Sequence, residues 1–274
     1  MVKVTVLSRA KINLMLRIVG RRIDGYHNLQ TYFQLLEWGD HIEFECTEVN
    51  GSNQVEITGF PGLSKQDNLI FKAANALMEF AQNKSDWVID VKKHIPKGAG
   101  LGGGSSNAAE TLKMLNIQWD CGLSQSKLIK IGKSLGADVP VFIAGQSSLA
   151  TGIGDDLEDM DFKTTFVLLF FPEISVCTAT LFNHPKLSRD QVELERSEMF
   201  NRDLWINDFF PLLLQQNAEI KSVYEQLKTR IDVRLSGTGS TMYALYADES
   251  EAKTAEKWSS QWVRSLLVKP KINR

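Results

Sequence analysis

The sequence has only three cysteines in 274 residues, Cys46, Cys121 and Cys177. Their number is odd, they lie far apart, and no two of them have the CxxC spacing. This pattern argues against a disulfide framework and against a cysteine zinc site. Cysteines used in this way favour a protein of the reducing cytoplasm.

The sequence also lacks any long hydrophobic run. The longest strongly apolar stretch, residues 166–171, is far too short to span a bilayer. The N-terminus alternates apolar and polar residues and has no signal-peptide core, so we expect no targeting segment. We therefore predict a cytoplasmic location and no membrane partner.

An excess of charge of one sign is missing as well. The formal net charge is -2, and nucleic acid or an anionic membrane as main partner requires a clustered basic excess. We therefore expect no nucleic-acid partner, and any bound anion must be held locally. None of these features determines the oligomeric state.

The length of the chain suits one large domain or two smaller ones, and we expect two. An acidic, glycine-containing stretch, TGIGDDLEDMD (residues 151–161), is typical of a solvated loop. We place the domain boundary at its end, which gives domains of residues 1–161 and 162–274.

Hydrophobic alternation predicts strands at the start of the chain. Valines alternate over residues 2–6 and aliphatic residues alternate over residues 12–18, so Lys11 and Asn13 share the opposite face. Asp24-Gly25 predicts a turn, and residues 31–46 predict two strands separated by a turn at Gly39-Asp40.

Helical spacing follows after Asp67 or Asn68, and strand spacing returns at residues 87–91. A glycine-rich loop and a further helix come next, then a helix that begins at Ser124 and stops at Gly136. The second half begins with a buried strand at Phe166, and two later strands flank SGTGST. The fold class is therefore α+β.

The glycine-rich loop, HIPKGAGLGGGSSNAAE (residues 94–110), holds five glycines within seven residues. Glycine leaves backbone N–H groups accessible, and the following helix adds unpaired donors and a positive dipole end. Such a segment binds anions, and phosphate is the commonest of them. The alternative is a flexible spacer, which has no need to lie between a strand and a helix.

Two common phosphate-binding motifs must be compared with this loop. Residues 98–103 match GxGxxG, which predicts a dinucleotide-binding unit of an NAD(P)-dependent oxidoreductase. Against it, the loop follows a β-rich opening, and no strand ends in an acidic residue about 20 positions later. No GxxxxGK[ST] motif is present, so a P-loop is not predicted.

Four motifs together resemble a known superfamily. PKGAGLGGGSSNAA resembles the nucleotide loop of the kinases named for galactokinase, homoserine kinase, mevalonate kinase and phosphomevalonate kinase. AKINLMLRIVGRRIDGYHNLQT, LGADVPVF and RLSGTGSTMYALY resemble its N-terminal, acidic and C-terminal glycine motifs, in the right order. Residues 184–215 contain no motif of this kind.

The resemblance implies a two-domain small-molecule kinase fold. Residues 1–161 would bind ATP and carry the catalytic groups, and residues 162–274 would contribute to the substrate cleft. The extra glycines are most similar to those of the members that phosphorylate a cytidine diphosphate-linked methylerythritol on its 2-hydroxyl, in the non-mevalonate route to isoprenoids. The alternatives are a homoserine or mevalonate kinase, an NAD(P)-binding oxidoreductase, and a regulatory module that binds nucleotide without catalysis.

The resemblance also assigns the ATP site. Its residues are Pro96, Lys97, Gly98, Ala99, Gly100, Leu101, Gly102, Gly103, Gly104, Ser105 and Ser106. ATP is handled as its magnesium complex, so Mg²⁺ is expected, with a hydroxyl of Ser105 or Ser106 as a candidate ligand. No dedicated protein metal site is predicted.

The remaining roles also follow from the resemblance. Asp138 would accept the proton of the substrate hydroxyl, and Lys11 would hold Asp138 or stabilise charge on the transferred group. Without the resemblance, a helix cap and a solvated lysine would be the simpler interpretations. The substrate residues are Asn13, Tyr26, His27, Phe182, Gly237 and Gly239. The base would stack between Tyr26 and Phe182, which are otherwise core aromatics, and the two glycines otherwise form only a hairpin turn.

Overall fold

A computed structural model describes residues 2–60, 63–163 and 165–273. Its first strands are longer than predicted. Strand β1 (Lys3–Arg21) is continuous through both alternating stretches, and β2 (His27–Val49) is continuous through Gly39-Asp40. The turn at Asp24-Gly25 is confirmed, since Gly25 has φ +87° and its N–H donates to the carbonyl of Arg22 at 3.1 Å.

The predicted turn at Gly39-Asp40 is wrong, and the glycine there has another purpose. A Cβ built on Gly39 would lie 1.9 Å from the carbonyl oxygen of Ser8, so glycine permits a close approach of β1. Asp40 is fully buried, and its carboxylate accepts from the N–H groups of His94 and Ile95. It also forms an ion pair with Lys93. Both residues thus serve long-range contacts within a strand.

The chain folds into two compact units. The first comprises Met1–Ala10, Trp38–Ile95 and Gly102–Gly145, and the second comprises Lys11–Glu37, Pro96–Leu101 and Gln146–Arg274. The units are therefore built from interleaved segments, and the predicted boundary after residue 161 falls inside the second one. A division of the chain into domains of residues 1–161 and 162–274 stays a prediction.

The described part of the first unit combines strands with four α-helices. Strand β3 (Val55–Thr58) pairs in parallel with β4 (Ser85–Lys92), and β4 pairs antiparallel with the later part of β2. Helix α2 packs against the other three helices of this unit. The helices are α1 (Leu69–Leu77), α2 (Gly103–Gln118), α3 (Gln125–Leu135) and α4 (Val139–Ala144).

Side chains cap two of these helices as the sequence predicts. Asn68, not Asp67, caps α1, because its side chain accepts from the N–H of Ile70. Ser124 caps α3, which ends at Gly136. Gly136 is extended there, with φ 173°, so it does not provide the left-handed ending typical of glycine at this place.

In the second unit the early part of β2 pairs with β5 (Ser148–Thr151), which pairs with β6 (Asp156–Asp159). The acidic stretch is therefore a hairpin and not the predicted loop. Leu149 and Ala150 of β5, just before this stretch, are buried, while the acidic residues of β6 are exposed.

A second sheet of this unit has the order β10-β7-β9-β8, with every neighbouring pair antiparallel. Buried side chains of β7, β9 and the helices, among them Phe170, Phe209, Ile220 and Met242, form its core. The strands are β7 (Phe166–Phe171), β8 (Arg234–Leu235), β9 (Met242–Tyr246) and β10 (Arg264–Val268). The helices are α5 (Thr178–Phe182), α6 (Phe209–Gln216), α7 (Ala218–Leu227) and α8 (Glu249–Ser259).

Within the described ranges, no helix combines the length and the apolarity needed to cross a membrane. The presence of both helices and strands confirms the α+β class.

Candidate active site

In the second unit, the glycine loop is shaped by the turn at residues 236–241. Gly98 and Gly100 have φ of +67° and +75°, which L side chains rarely adopt. A Cβ on Gly100 would lie 2.3 Å from the carbonyl oxygen of Ser236. The N–H of Thr241 donates to the carbonyl of Ala99 at 3.2 Å. Main chain therefore packs directly on main chain, and only glycine fits there.

In the first unit, α2 begins with its terminal donors available. Its N-cap is Gly102, with φ +70°, and no side chain caps the helix. No acidic side chain lies in the first turn. The first N–H groups of a helix lack intrahelical acceptors, and together with the helix dipole they attract an anion. The beginning of α2 is thus chemically suited to phosphate, as its sequence predicts.

The two serines of this helix differ in environment. Ser106 is fully buried, and its Oγ lies 2.8 Å from Oγ of Ser8. Ser105 is partly exposed. Asn107 is 1 % exposed, and its Nδ2 has no hydrogen-bond partner among the described residues, although its Oδ1 accepts from Ser8. A buried donor of this kind costs about 1–3 kcal/mol unless a partner satisfies it.

Lys11 lies buried against the glycine loop in the second unit. It is 3 % exposed, and its Nζ donates to Oδ1 of Asn13 at 2.6 Å and to the carbonyl of Gly100 at 3.1 Å. Nδ2 of Asn13 donates in turn to Oγ1 of Thr31. The predicted common face of Lys11 and Asn13 is confirmed, and the interpretation of Lys11 as a solvated lysine is wrong. The structure keeps an ammonium group next to the backbone of the loop.

Asp138 occupies the position before α4 in the first unit. Its side chain makes no capping hydrogen bond to the helix, and the residue is partly exposed. The carboxylate is therefore not committed to the first-turn N–H groups, contrary to the simple helix-cap interpretation. Pro140 near the start of α4 fits the predicted helix.

The second unit brings His27 and Phe182 together. His27 is 5 % exposed, and the centroids of the two rings lie 5.2 Å apart at an interplanar angle of 37°. Phe182 also contacts Phe209 edge-on, with centroids 4.7 Å apart. Tyr26 is 60 % exposed, so it is not a core aromatic. A buried polar ring beside an aromatic face suits a flat heterocyclic ligand.

Arg189 is a residue of this region that the sequence reasoning missed. Its Nε donates to Nε2 of His27 at 2.9 Å. Burial lowers the pKa of His27 from its ordinary value, and the charges of Arg189 and Arg21 lower it further. No local pattern marks Arg189, which lies 162 positions after its partner. Arg189 lies in residues 184–215, where the sequence contains no motif of the kinase superfamily.

The second glycine motif forms a tight turn. Gly237 and Gly239 have positive φ, and the N–H of Gly239 donates to the carbonyl of Ser236 at 2.9 Å. That donor is therefore used within the turn. A Cβ on Gly237 would lie 3.1 Å from the carbonyl oxygen of Gly100. The turn supports the glycine loop, and a direct role of either glycine in substrate binding stays a prediction.

A cavity of about 300 Å³ lies beside the loop in the second unit. Pro96, Lys97 and Ala99 line it on the side of the loop, and residues 171–175 line it on the side of the sheet. One face of the loop thus remains open to small molecules.

Fold and loop together define the chain as a GHMP kinase. The model of the GHMP kinases N terminal domain matches residues 68–146, and that of the GHMP kinases C terminal domain matches residues 183–264. The resemblance based on four motifs is confirmed. The dinucleotide-binding alternative does not fit, because the glycine loop follows β4 outside the parallel β3–α1–β4 crossover, and the next strand, β5, pairs antiparallel with β2.

Comparison with similar proteins identifies the family within the GHMP kinases. The 4-diphosphocytidyl-2-C-methyl-D-erythritol kinase of Francisella philomiragia is 42% identical, covering 95% of each chain. That of Haemophilus ducreyi is 40% identical, covering 90% of this chain and 86% of the relative. A crystal structure of a 4-(cytidine 5'-diphospho)-2C-methyl-D-erythritol kinase aligns with a TM-score of 0.78 and 28% identity over 98% of this chain and all of the other. The chain belongs to the 4-diphosphocytidyl-2-C-methyl-D-erythritol kinase family.

Proposed function

We propose that the protein transfers the γ-phosphoryl group of ATP to the 2-hydroxyl of 4-diphosphocytidyl-2-C-methyl-D-erythritol, giving the 2-phosphate and ADP. The observation that carries the choice of substrate is the buried ring of His27 beside Phe182. Homoserine and mevalonate contain no heterocyclic base, so the acceptor sites of their kinases need no such pair. A cytidine-linked acceptor carries a base that the pair can hold.

The ATP phosphates are assigned to the loop of residues 96–106. The positive φ values of Gly98, Gly100 and Gly102 and the uncapped start of α2 support this assignment. Each provides main-chain N–H groups without a side chain in the way. Lys11 lies next to the carbonyl of Gly100. Its positive charge stabilises the negative charge that spreads over the transferred phosphoryl group in the transition state.

Asp138 is assigned to the substrate hydroxyl. The hydroxyl oxygen attacks the γ-phosphorus, the bond to the ADP oxygen breaks, and the carboxylate accepts the proton of the hydroxyl. The motif LGADVPVF, which resembles the acidic motif of the GHMP kinases, supports this assignment. Asn13, fixed by Lys11 and Thr31, is assigned to hydrogen bonding with the substrate.

Mg²⁺ would enter with ATP. The described residues contain no cluster of three or more His, Cys, Asp or Glu side chains suited to a metal. This fits Mg²⁺, which often relies on phosphate oxygens, water and one or two protein ligands. The partly exposed Ser105 is the better hydroxyl ligand, because Ser106 is buried against Ser8. When bound, the ion neutralises charge on the phosphates.

An ADP-release assay tests the proposed reaction. The cytidine-linked methylerythritol, homoserine and mevalonate are offered separately with ATP and Mg²⁺, and only the first should be turned over efficiently. Faster turnover of homoserine or mevalonate would show that the substrate is wrong. A nicotinamide titration without fluorescence change is expected, since the dinucleotide fold is absent from the described chain.

The role of Asp138 has its own test. Asp138→Asn should lower kcat by at least about 10²-fold with little change in ATP affinity, as expected for a group that accepts a proton in the transition state. The exposed Asp156 on β6 provides a matched control, and Asp156→Asn should keep kcat within about twofold. A near-normal kcat in Asp138→Asn would remove Asp138 from the mechanism.

A further inference from the structure

Arg189 uses four of its five N–H donors in hydrogen bonds around His27 and Phe182. Its Nε donates to His27 Nε2 at 2.9 Å, and Nη1 donates to the carbonyl of Leu187 at 2.9 Å. Nη2 donates to the carbonyls of Phe182 and His184 at 3.0 and 2.8 Å. Four bonds fix the planar guanidinium in position. Three of these bonds order the loop around Arg189, and the bond to His27 connects that loop to a residue 162 positions away.

The bond to His27 determines where the ring carries its proton. Arginine stays protonated and has no acceptor, so Nε2 of His27 must offer its lone pair to Arg189. A neutral imidazole carries one proton, which therefore lies on Nδ1. The ring is neutral near pH 7, because burial lowers its pKa and the charges of Arg189 and Arg21 act in the same direction. His27 is thus held as a hydrogen-bond donor at Nδ1.

We propose that Arg189 is a positioning residue of the base site, which holds His27 in the Nδ1–H form so that the ring donates to an acceptor of the cytosine, N3 or O2. Through the carbonyl of Phe182, the same guanidinium fixes the backbone that carries the neighbouring aromatic ring. Arg189 thereby couples the hydrogen-bonding and stacking groups. The identity of the ligand, cytosine, rests on the proposed function. The bonds from Arg189 to His27 and Phe182 do not depend on it.

The tautomer can be measured without substrate. Long-range ¹H–¹⁵N NMR distinguishes protonated from unprotonated ring nitrogens, and the chain has only four histidines, so His27→Asn assigns the signals. In the wild type, Nδ1 should be protonated and Nε2 should not. In Arg189→Met, the proton should shift largely to Nε2, and the pKa of His27 should rise because a positive charge is removed. A wild-type ring with Nε2–H would overturn the proposal.

Steady-state kinetics tests the consequence for the substrate. Arg189→Met should raise KM for the cytidine-linked substrate by about 10-fold to 100-fold, as expected for the loss of one or two oriented hydrogen bonds. The values of kcat and of KM for ATP should stay within about threefold. Arg189→Lys retains one donor toward His27 and should recover part of the loss. An unchanged KM in Arg189→Met, or an equal loss for ATP, would refute the positioning role.

Two further variants separate this role from a general loss of stability. Arg196 lies in the same segment and pairs at the surface with Glu158, so Arg196→Gln should leave both KM values and the tautomer unchanged. His27→Asn keeps a donor near the position of Nδ1 and should retain more substrate affinity than His27→Leu. Equal losses in these two variants would contradict a donor role. If the cytidine compound is not a substrate but the Nδ1–H form is observed and depends on Arg189, the proposed function fails and the geometric inference stands.

Discussion

The approach of the 236–241 turn to the glycine loop makes a quantitative prediction for Gly100→Ala. The new Cβ would lie 2.3 Å from the carbonyl oxygen of Ser236, and since real Cβ contacts below 3.0 Å essentially do not occur, the loop must move by at least about 0.7 Å. Two hydrogen bonds end on the carbonyl of Gly100, one from Ser236 Oγ and one from Lys11 Nζ. Both are strained by such a movement.

The magnitude follows from three contributions. The left-handed backbone at φ +75° costs alanine about 1–2 kcal/mol. The bond from Ser236 Oγ contributes about 0.5–1.5 kcal/mol and the bond from charged Lys11 about 1.5–3 kcal/mol. If both are lost, the free energy of unfolding falls by about 3–6.5 kcal/mol, a large part of the roughly 5–15 kcal/mol of a typical protein.

Gly104→Ala is the matched control in the same motif. Its Cβ would meet nothing closer than Leu69 Cδ1 at 3.7 Å, an ordinary contact, and the position lies within α2. Alanine in a helix is favoured over glycine by about 0.5–1 kcal/mol, so this variant should gain stability. Urea denaturation of both variants, followed by circular dichroism, measures the two changes. A loss below about 1 kcal/mol in Gly100→Ala would refute the close packing of the two glycine motifs.

Three other perturbations have definite expected outcomes. Lys11→Met removes the ammonium donor from the buried Oδ1 of Asn13, while the carbonyl of Gly100 keeps its bond from Ser236 Oγ. The variant should lower the free energy of unfolding by about 1–3 kcal/mol, measured with urea, and an unchanged midpoint would contradict the buried bond. Because burial lowers the pKa of His27 below 6.5, the unfolded chain binds that proton more readily. The free energy of unfolding should therefore fall as the pH drops below 6.5 toward the pKa of the folded state, and His27→Asn should remove this part of the slope. A hydrogen bond from the Thr180 side chain lowers the pKa of exposed Cys177, whereas burial raises that of Cys121. Iodoacetamide should thus modify Cys177 first, as peptide mapping will show, and earlier modification of Cys121 would contradict this order.

Local patterns were sufficient for much of the fold. Alternation located β1 and β4, the caps Asn68 and Ser124 located two helix starts, and glycines between a strand and a helix located the loop. In each case the signal itself, a period, a cap or a cluster of glycines, lies within a few residues along the chain. Such interactions are what periodicity and capping rules describe.

The failures share a different physical origin. Gly39-Asp40 has the composition of a turn, but its glycine accommodates the backbone of Ser8 and its aspartate binds the segment from residue 93 to 95. These partners lie more than thirty positions away. No rule based on neighbouring residues distinguishes such a pair from a turn.

The residues of the candidate site also fall into those that local spacing predicts and those that only the folded chain reveals. Lys11 and Asn13 could be placed on one face from their spacing alone, whereas the burial of Lys11 against Gly100 depends on the tertiary fold. No motif or spacing marks Arg189, because its partner His27 lies 162 positions earlier in the sequence. Chemistry that depends on the orientation of a side chain requires the folded arrangement.

The contact between the two glycine motifs also bears on how this enzyme could acquire resistance to inhibitors. A compound that binds only to main-chain atoms around Gly100 and Gly237 recognises groups that every amino acid except proline retains. Escape by substitution of either glycine would add a methyl group at positive φ, against backbone atoms 2.3 and 3.1 Å away. A substitution that weakened binding of the compound at either glycine would thus also destabilise the enzyme. Resistance would have to come from side chains, and the compound need not contact these.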